Sequence, residues 1–392
     1  MRSATLLALL PLAMAAPSVV KRDSPAPLVK PRGADVVQGK YIVKFKKDVG
    51  TASIESVIDS AIASVAADAD YVYKSKFSGF ASSLTDAEVE ALQNDPNVEY
   101  IEQDAIIKAY VTQEDATWGI SRLSSQEPGG STYTYDASAG EGTCAYVVDT
   151  GIDTDHSEFE GRATWLENFA DNDDTDGQGH GTHVAGTIGS KTYGVAKKTQ
   201  LFAVKVLDAS GSGTTSGVVA GMDFVVSDEP SQDCPNGSVV NMSLGGGVST
   251  AINEAAANIV SAGIFLAVAA GNEAVDASGS SPASEESACT VGATEKDDSL
   301  AYYSNFGSVV DILAPGTDIT STWPGDDTNT ISGTSMATPH IAGLAAYLLG
   351  LGTAPTEPVA LCEYIATNGL ADVISGVPSD TINSLANNGA SA

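Results

Sequence analysis

The stretch AYVVDTGID, residues 145–153, is a short apolar run that ends in Asp149, Thr150 and Gly151. Such runs, when turn residues bound them, are typical of buried strands in a parallel sheet. An aspartate at the end of a buried strand fits two kinds of active site: a pair of carboxylates that share a proton, or the third member of a Ser-His-Asp triad. The two kinds require different partners elsewhere in the chain.

Similar apolar runs alternate with helical stretches along the second part of the chain. Because strands and helices alternate there, the sequence predicts an α/β fold whose mostly parallel, twisted sheet has helices on both faces. Chemistry in such sheets gathers at the carboxyl ends of the strands, where Asp149 and Asn272 stand. The predicted strands are CAYVVDTG, TQLFAVKVL, GSVVNMSLGGG and GIFLAVAAGN, and the predicted helices are GVVAGMDFVVSD and TAINEAAANIVSAG.

The region before residue 111 has a different element order. Its pattern predicts a small α+β domain with the order βαββαβ, a ferredoxin-like plan. Residues 16–38 are rich in Pro, Ser and Lys without an apolar period, and we expect a linker there. The elements are strand YIVKFK, helix SIESVIDSAIASV, alternating YVYKSKFSGFASSL with a break at Gly79, a helix that Thr85 and Glu88 open as a capping box, and strand VEYIEQDAIIKAY.

The first residues indicate a secreted protein, and the charge argues against two classes of partner. Residues 1–15 combine an early Arg with a short apolar core and small residues at the spacing of a signal peptide. No later segment is long and apolar enough to span a bilayer, so we expect a soluble, extracellular protein. From Val111 onward the chain has 36 acidic and seven basic residues, a balance that argues against nucleic-acid and membrane partners.

Cysteines and sequons agree with secretion. Four cysteines lie in the acidic part, without a close C-x-x-C pair, and predict two disulfides; spacing alone leaves all three pairings open. Asn236, in N-G-S, lies in turn-like sequence and is a candidate for glycosylation. Asn241, in N-M-S, lies in an apolar strand and is predicted to be buried.

An aspartic protease would need a second Asp-Thr-Gly or Asp-Ser-Gly, and the chain has none. The partners of a triad are present instead. GQGHGTHVAGT (177–187) contains His180 and His183, and GTSMATPH (333–340) places Ser335 where a turn enters an apolar helix. A single serine at that place is usually a helix cap. His-x-x-His can be a metal pair, so a zinc hydrolase built on His180 and His183 also remains open.

Five motifs in one order resemble the subtilisin-like serine proteases: VVDTGID, GHGTHVAGT, SLGGG, AAGNE and SGTSMATPH. Asp, His and Ser also follow one another in the order of subtilisin. The flanks TYTYDASAGEGTC and SPASEESACTVGA narrow the resemblance to the secreted fungal branch similar to proteinase K. The resemblance runs from about Trp118 to Cys362, and the preceding unit resembles the family's inhibitory propeptide.

The resemblance implies a role for each motif residue. Ser335 is the nucleophile, His180 the general base, Asp149 the residue that orients His180, and Asn272 an oxyanion donor. It implies an inhibitory propeptide domain at 39–110, which is also a folding template, and a catalytic domain at 111–392. Self-cleavage would separate Tyr110 from Val111. A catalytically inactive relative that serves as a binding protein is the alternative from another class.

The glycine-rich segments around these motifs predict how a polypeptide substrate binds. They offer backbone without side-chain obstruction, so an extended peptide can add between them as a strand. By resemblance the primary pocket lies beside small residues and admits a bulky hydrophobic or aromatic side chain, with broad specificity otherwise. The substrate-binding candidates are Gly211, Ser212, Gly213, Ser243, Leu244, Gly245, Gly246, Ala269, Ala270 and Gly271.

The same resemblance implies further features outside the catalytic residues. A structural calcium ion would be bound by the carboxylate of Asp311 and the backbone carbonyls of Glu286 and Ala288, with water completing the shell. No catalytic cofactor is expected, and the protein would act as a monomer. The implied disulfides are Cys144 to Cys234 and Cys289 to Cys362.

Overall fold

The structure, a computed structural model, describes residues 24–30, 36–47, 53–66, 68–105 and 110–390. The chain divides into two compact units, one up to Ile107 and one from Lys108. The predicted signal peptide, residues 1–15, lies outside the described residues.

The first unit contains the predicted βαββαβ order. Its sheet has the strand order β1-β5-β2-β4-β3, and its core contains Phe45, Phe80 and Ile101 together with apolar residues of both helices. The elements are β1 (Leu28–Val29), β2 (Val36–Phe45), α1 (Ile54–Ser64), β3 (Ala69–Lys74), β4 (Ser78–Ser83), α2 (Asp86–Gln93) and β5 (Val98–Ala105).

Two local expectations for this unit were wrong. The region predicted as a linker, 16–38, contains β1, which pairs in parallel with β5, and Ala26 beside it is fully buried. The break in 71–84 lies between Lys74 and Ser78 rather than at Gly79. Gly79 lies inside β4. The position requires glycine because a Cβ there would collide with the carbonyl oxygen of Val43 on the neighbouring strand.

The second unit is built on a parallel sheet. In the described residues this sheet has nine strands in the order β19-β20-β16-β15-β13-β11-β8-β10-β9, parallel except for β19 with β20. Its strands and those of the smaller ribbons are β6 (Tyr110–Gln113), β7 (Tyr133–Asp136), β8 (Cys144–Asp149), β9 (Ala163–Asn168), β10 (Gln200–Lys205), β11 (Ser238–Met242), β12 (Gly246–Gly247), β13 (Phe265–Ala269), β14 (Ser280–Ser281), β15 (Cys289–Thr294), β16 (Ile312–Pro315), β17 (Ile319–Trp323), β18 (Asp327–Ile331), β19 (Leu370–Ala371) and β20 (Ser384–Leu385).

Helices cover both faces of this sheet, as the sequence predicts. Along β8, Ala145 and Val147 belong to one core, whereas Tyr146 and Val148 belong to the core on the opposite face. Helices α4 and α7 pack in the first core, and α5 and α6 pack in the second. The helices of this unit are α3 (Trp118–Leu123), α4 (His180–Gly189), α5 (Thr215–Asp228), α6 (Thr250–Ser261), α7 (Thr334–Leu351) and α8 (Pro358–Asn368).

Three neighbouring parallel strands bring the site residues to one edge of the sheet. β8 ends at Asp149, β11 ends just before Ser243, and β13 ends three residues before Asn272. β11 lies between the other two strands, so these carboxyl ends are adjacent. Within the described residues, no helix is both long enough and apolar enough to cross a membrane.

Candidate active site

The carboxylate of Asp149 is completely buried at the end of β8. Its Oδ1 accepts hydrogen bonds from the backbone N–H of Thr150 at 2.8 Å and from Nδ1 of His180 at 2.7 Å. Since a carboxylate can only accept, the imidazole donates through Nδ1, and its Nε2 is left with the lone pair that a general base needs. This arrangement fixes both the ring and its tautomer.

His180 is the first residue of α4, and Asp176 holds the start of that helix in place. Oδ2 of Asp176 accepts from the backbone N–H of Thr182 at 2.9 Å, one of the amide groups that a helix start leaves free. Its Oδ1 accepts from the hydroxyl of Thr150 at 2.7 Å. Asp176 therefore connects the Asp149 turn to the His180 helix.

Sequence reasoning missed Asp176. The available signal was an acidic residue just ahead of a helix start, where the helix dipole favours negative charge.

Two opposing effects act on the pKa of His180. Burial alone would lower it, but the charge and hydrogen bond of Asp149 and the charge of Asp176 outweigh burial. The pKa is therefore raised from the ordinary histidine value of 6.5. The site stabilises the imidazolium that forms when His180 accepts a proton.

His183 differs from His180 in its burial, its hydrogen-bond partner and the direction of its pKa shift. It is fully buried, its Nε2 donates to the carbonyl oxygen of Ile319 at 2.9 Å, and burial lowers its pKa to about 4. In the part of the chain that the structure describes, no convergent group of three His, Cys, Asp or Glu side chains includes either histidine. The geometry therefore gives no support to a zinc pair.

Ser335 is the second residue of α7 and is held by Ser243. Its hydroxyl donates to the carbonyl oxygen of Ser243 at 3.1 Å, and the hydroxyl of Ser243 donates to the carbonyl oxygen of Ser335 at 2.8 Å. In this state the Ser335 hydroxyl is bonded to Ser243 rather than to the imidazole. Ser243 and His180 line the same cavity, so Ser335 is joined to that cavity through Ser243.

Asn272 lies in the exposed loop after β13, and its amide orientation is set by Thr334. The backbone N–H and the hydroxyl of Thr334 both donate to Oδ1 of Asn272, at 2.8 and 3.0 Å. Because Oδ1 is occupied by these donors, Nδ2 of Asn272 is the end of the amide that remains available to an anion. Asn272 and Ser335 line one cavity.

Two adjoining cavities form a cleft along the glycine-rich segment 244–246, which lines both. The first, of about 410 Å³, is lined by Ala269, Gly271, Asn272 and Ser335 among others. The second, of about 570 Å³, contains the predicted residues Gly211, Ser212, Gly213 and Ser243 together with His180. Ala270 is the exception among the substrate-binding candidates, because its side chain is fully buried in an apolar cluster with Leu313 and Leu385.

Comparison with known proteins agrees with this fold and site. The subtilase family matches residues 140–366, more than half of the chain, and the peptidase inhibitor I9 family matches residues 40–110. The chain belongs to the subtilase family. The resemblance predicted from the motifs is thereby confirmed, as are the α/β fold with its α+β propeptide domain and the assignment to serine endopeptidases.

Individual relatives extend over most of the chain. Proteinase T of Parengyodontium album is 70% identical over 292 residues, which is 74% of this chain and 99% of that protein. The cuticle-degrading protease of Metarhizium anisopliae is 52% identical over the full length of both chains. The crystal structure of a cold adapted subtilisin-like serine proteinase is 42% identical, covers 70% of this chain and 99% of its own, and has a TM-score of 0.66.

These matches establish the general activity of this subtilase. It is a serine protease whose substrates are polypeptides, and it carries its own I9-type propeptide as an inhibitor.

Both disulfides have the pairing that the resemblance implies. Cys144 bonds to Cys234 and ties the start of β8 to the segment before β11. Cys289 bonds to Cys362 and ties the start of β15 to α8. Asn236 is exposed and its Nδ2 donates to the carbonyl oxygen of Glu141 at 2.8 Å, whereas Asn241 is fully buried, as predicted.

The predicted processing bond, Tyr110–Val111, lies in β6 and away from Ser335. Tyr110 is opposite Asp136 in the β6–β7 ribbon, and the backbone N–H of Asp136 donates to the hydroxyl of Tyr347. Tyr347 lies 12 residues beyond Ser335 on α7, roughly 18 Å at about 1.5 Å per residue. In this state the structure does not bring the predicted processing bond to Ser335.

The three predicted calcium ligands line one cavity of about 540 Å³. Burial raises the pKa of Asp311 to about 6, and none of the ion pairs among the described residues includes its carboxylate. A cation would supply that missing charge, and oxygen ligands are those that calcium prefers. Cys289 and Cys362 also lie beside Asp311, but their disulfide removes them as ligands. The residues present therefore fit a calcium ion.

We expect calcium to stabilise this subtilase through Asp311. Binding to the folded state alone adds about 2.7 kcal/mol when free calcium is 100 times Kd. Thermal unfolding of enzyme inactivated with a sulfonyl fluoride should therefore shift to lower temperature when a chelator replaces calcium. Asp311→Asn, which can still accept from the N–H of Thr290, should abolish that shift, whereas Glu254→Gln on α6 should retain it. A full calcium-dependent shift in Asp311→Asn would place the ion elsewhere.

Proposed function

We propose that Asp149, His180 and Ser335 form the catalytic triad of a secreted endopeptidase that hydrolyses peptide bonds through an acyl-enzyme. The observation that carries the proposal is the 2.7 Å hydrogen bond between His180 Nδ1 and the buried carboxylate of Asp149. This bond leaves Nε2 of His180 free to accept a proton, and the pKa of His180 is raised. His180 lines the same cavity as Ser243, to which Ser335 is hydrogen-bonded.

Acylation begins when the Ser335 hydroxyl exchanges the carbonyl of Ser243 for Nε2 of His180. Catalytic hydrogen bonds are often unformed in the free enzyme and tighten when substrate binds. Ser335 Oγ then attacks the scissile carbonyl carbon while His180 takes its proton, and Asp149 stabilises the imidazolium. His180 delivers the proton to the leaving amine. Water, activated by the same imidazole, then hydrolyses the acyl-enzyme.

The oxyanion is stabilised by the side-chain amide of Asn272 and the backbone N–H of Ser335 at the start of α7. Thr334 aims the amide by holding its Oδ1. Removing one such donor typically costs about 3 kcal/mol of transition-state stabilisation.

The first cavity suits a bulky hydrophobic or aromatic side chain before the cleaved bond. Its walls include the glycine-rich segment 244–247 on one side and Ala269 and Gly271 on the other, so little side-chain volume obstructs it. Segments 211–213 and 243–246 both line the second cavity, where an extended peptide can add through its main chain. Such binding is consistent with broad specificity.

The remaining proposals concern how the enzyme is made. Residues 1–15 direct secretion to the extracellular space, residues 39–110 assist folding as well as inhibit, and cleavage between Tyr110 and Val111 releases a monomeric catalytic domain, residues 111–392. Because Tyr110 lies far from Ser335 in the state described, the cleaved segment would occupy the site only before β6 pairs with β7.

Replacing the proposed nucleophile tests the mechanism directly. Ser335→Ala should abolish peptide hydrolysis and leave the propeptide attached, because the variant lacks the hydroxyl that the proposed mechanism uses as the nucleophile. A fluorophosphonate should label the unaltered enzyme and not the variant, as mass spectrometry can show. Ser332→Ala, three residues earlier in the segment between β18 and α7, should process and label normally. A processed, active Ser335→Ala protein would remove Ser335 from the mechanism.

Cleavage-site profiling on a peptide library checks the proposed substrate preference. We expect Phe, Tyr, Leu or Met before the cleaved bond in most products, because burial of a large apolar side chain contributes about 1.5 to 3 kcal/mol. Filling the first cavity by Gly246→Val should shift the products toward small residues. Unchanged profiles would show that another pocket selects this residue.

The pH dependence follows from the raised pKa of His180. A protonated imidazole cannot accept the Ser335 proton, so activity should fall as pH drops through this pKa. The midpoint of the acid limb of kcat/KM should therefore lie above 6.5, the ordinary value for histidine. Tryptophan fluorescence over the same range controls for unfolding. A midpoint below 6.5 in folded enzyme would contradict the assignment of the base.

A further inference from the structure

The loop of residues 270–275 carries Asn272 but belongs to no helix or strand. It follows β13 and is exposed from Asn272 to Val275. An oxyanion donor acts only if it is held close to its productive position, and exposed loops do not supply that rigidity themselves. Thr334 fixes the end of the Asn272 side chain, so something else must fix the backbone that carries it.

The side-chain amide of Asn305 uses all of its hydrogen-bonding positions on the 270–275 loop. Oδ1 of Asn305 accepts from the backbone N–H groups of Glu273 and Val275, both at 3.0 Å. Nδ2 donates to the carbonyl oxygen of Ala270 and to Oε2 of Glu273, both at 2.9 Å. A side-chain amide has two acceptor and two donor positions, so none remains for a substrate.

The backbone of Asn305 adds a further contact with the same loop. Its N–H donates to the carbonyl oxygen of Gly271 at 3.0 Å. Gly271 has φ 107°, and a Cβ at this position would collide with Nδ2 of Asn305. Only glycine therefore allows the amide of Asn305 to reach the loop on both sides of Asn272.

Asn305 is itself tied to the parallel sheet. It is only 1% exposed, and the hydroxyl of its neighbour Ser304 donates to the carbonyl oxygen of Asn305 at 2.9 Å. The same hydroxyl accepts from the backbone N–H of Ala293 in β15 at 3.0 Å. The 270–275 loop is thus connected to a rigid strand through two residues.

We infer that Asn305 is a positioning residue for the oxyanion donor Asn272, an inference that rests on the proposed function of Asn272. Asn305 does not act on the substrate, because its polar atoms are fully used by the loop. It holds the backbone on both sides of Asn272 while Thr334 holds the amide. Its loss should therefore weaken transition-state stabilisation more than substrate binding.

A double-mutant cycle on kcat for a peptide amide substrate tests this inference. Asn272→Ala should lower kcat about 10²- to 10³-fold. Asn305→Ala should lower kcat roughly 10- to 100-fold, with KM changed less than about threefold, because misplacing a catalytic group by about 1 Å can cost that much. In the Asn272→Ala background, Asn305→Ala should lower kcat less than about threefold. Active enzyme is counted by fluorophosphonate titration of Ser335, so unfolded protein does not enter kcat.

Asn388 provides the matched control. It is a buried asparagine whose Nδ2 donates to the carbonyl oxygen of Thr134 and whose Oδ1 accepts from the N–H of Ala390, far along the chain from the cleft residues. Asn388→Ala should lower the Tm and leave kcat unchanged in both backgrounds. If Asn305→Ala does not fold, Asn305→Asp, which keeps the acceptor and loses both donors, takes its place in the cycle.

The possible outcomes separate this inference from the proposed function. An equal loss of kcat in both backgrounds, or a change in KM alone, would overturn the positioning role of Asn305 and leave Asn272 as the donor. Normal kcat in Asn272→Ala would instead overturn the proposed role of Asn272, and with it the inference. A loss of kcat that vanishes in the Asn272→Ala background supports both.

Discussion

The buried carboxylate of Asp149 is the constraint on which the site depends. Removing such a charge from water costs several kcal/mol, which must be offset by hydrogen bonds inside the protein. Oδ1 receives them from Thr150 and His180, whereas Oδ2 has no partner in the described part of the chain. The bond with His180 is therefore both a stabilising contact and the feature that gives the imidazole its tautomer. A fold that buries this aspartate must also bring α4 to the end of β8.

Residues of the motifs VVDTGID and GHGTHVAGT contact one another where α4 approaches the end of β8. The hydroxyl of Thr150 donates to Asp176 and accepts from the backbone N–H of Gly181. A Cβ on Gly181 would collide with the carbonyl oxygen of Gly151, so the two turns come together only because Gly181 has no side chain. Thr150 and Gly181 thus allow Asp149 and His180 to lie within hydrogen-bonding distance, although neither has a role in the proposed proton transfer.

The sequence predicted the sheet well because each central strand is a separate apolar run. Asp149, His180, Asn272 and Ser335 could be named as candidates because their motifs are local, and their roles stay proposals. It did not reveal Asp176, Thr334 or Asn305, since a hydrogen bond between segments 26 to 62 residues apart leaves no periodic pattern. The two-residue strand β1 was not predicted for a related reason. It is a strand because it pairs with Ile101 and Glu102 of β5, and its own composition does not indicate one. The expectation for Gly79 was wrong because a glycine inside a strand can mark a close backbone approach as well as a turn.

The backbone at Ser243 supports both the proposed nucleophile, Ser335, and the proposed substrate cleft. It exchanges two hydrogen bonds with Ser335, and it immediately precedes the segment 244–246 that lines both cavities. β11 sets the position of Ser243 from inside the parallel sheet, so the same strand end fixes Ser335, the proposed nucleophile, and the edge along which a peptide would lie. A shift of this strand end would misplace both together. That shared support explains physically why a rigid sheet edge, and not a mobile loop, carries the centre of the cleft.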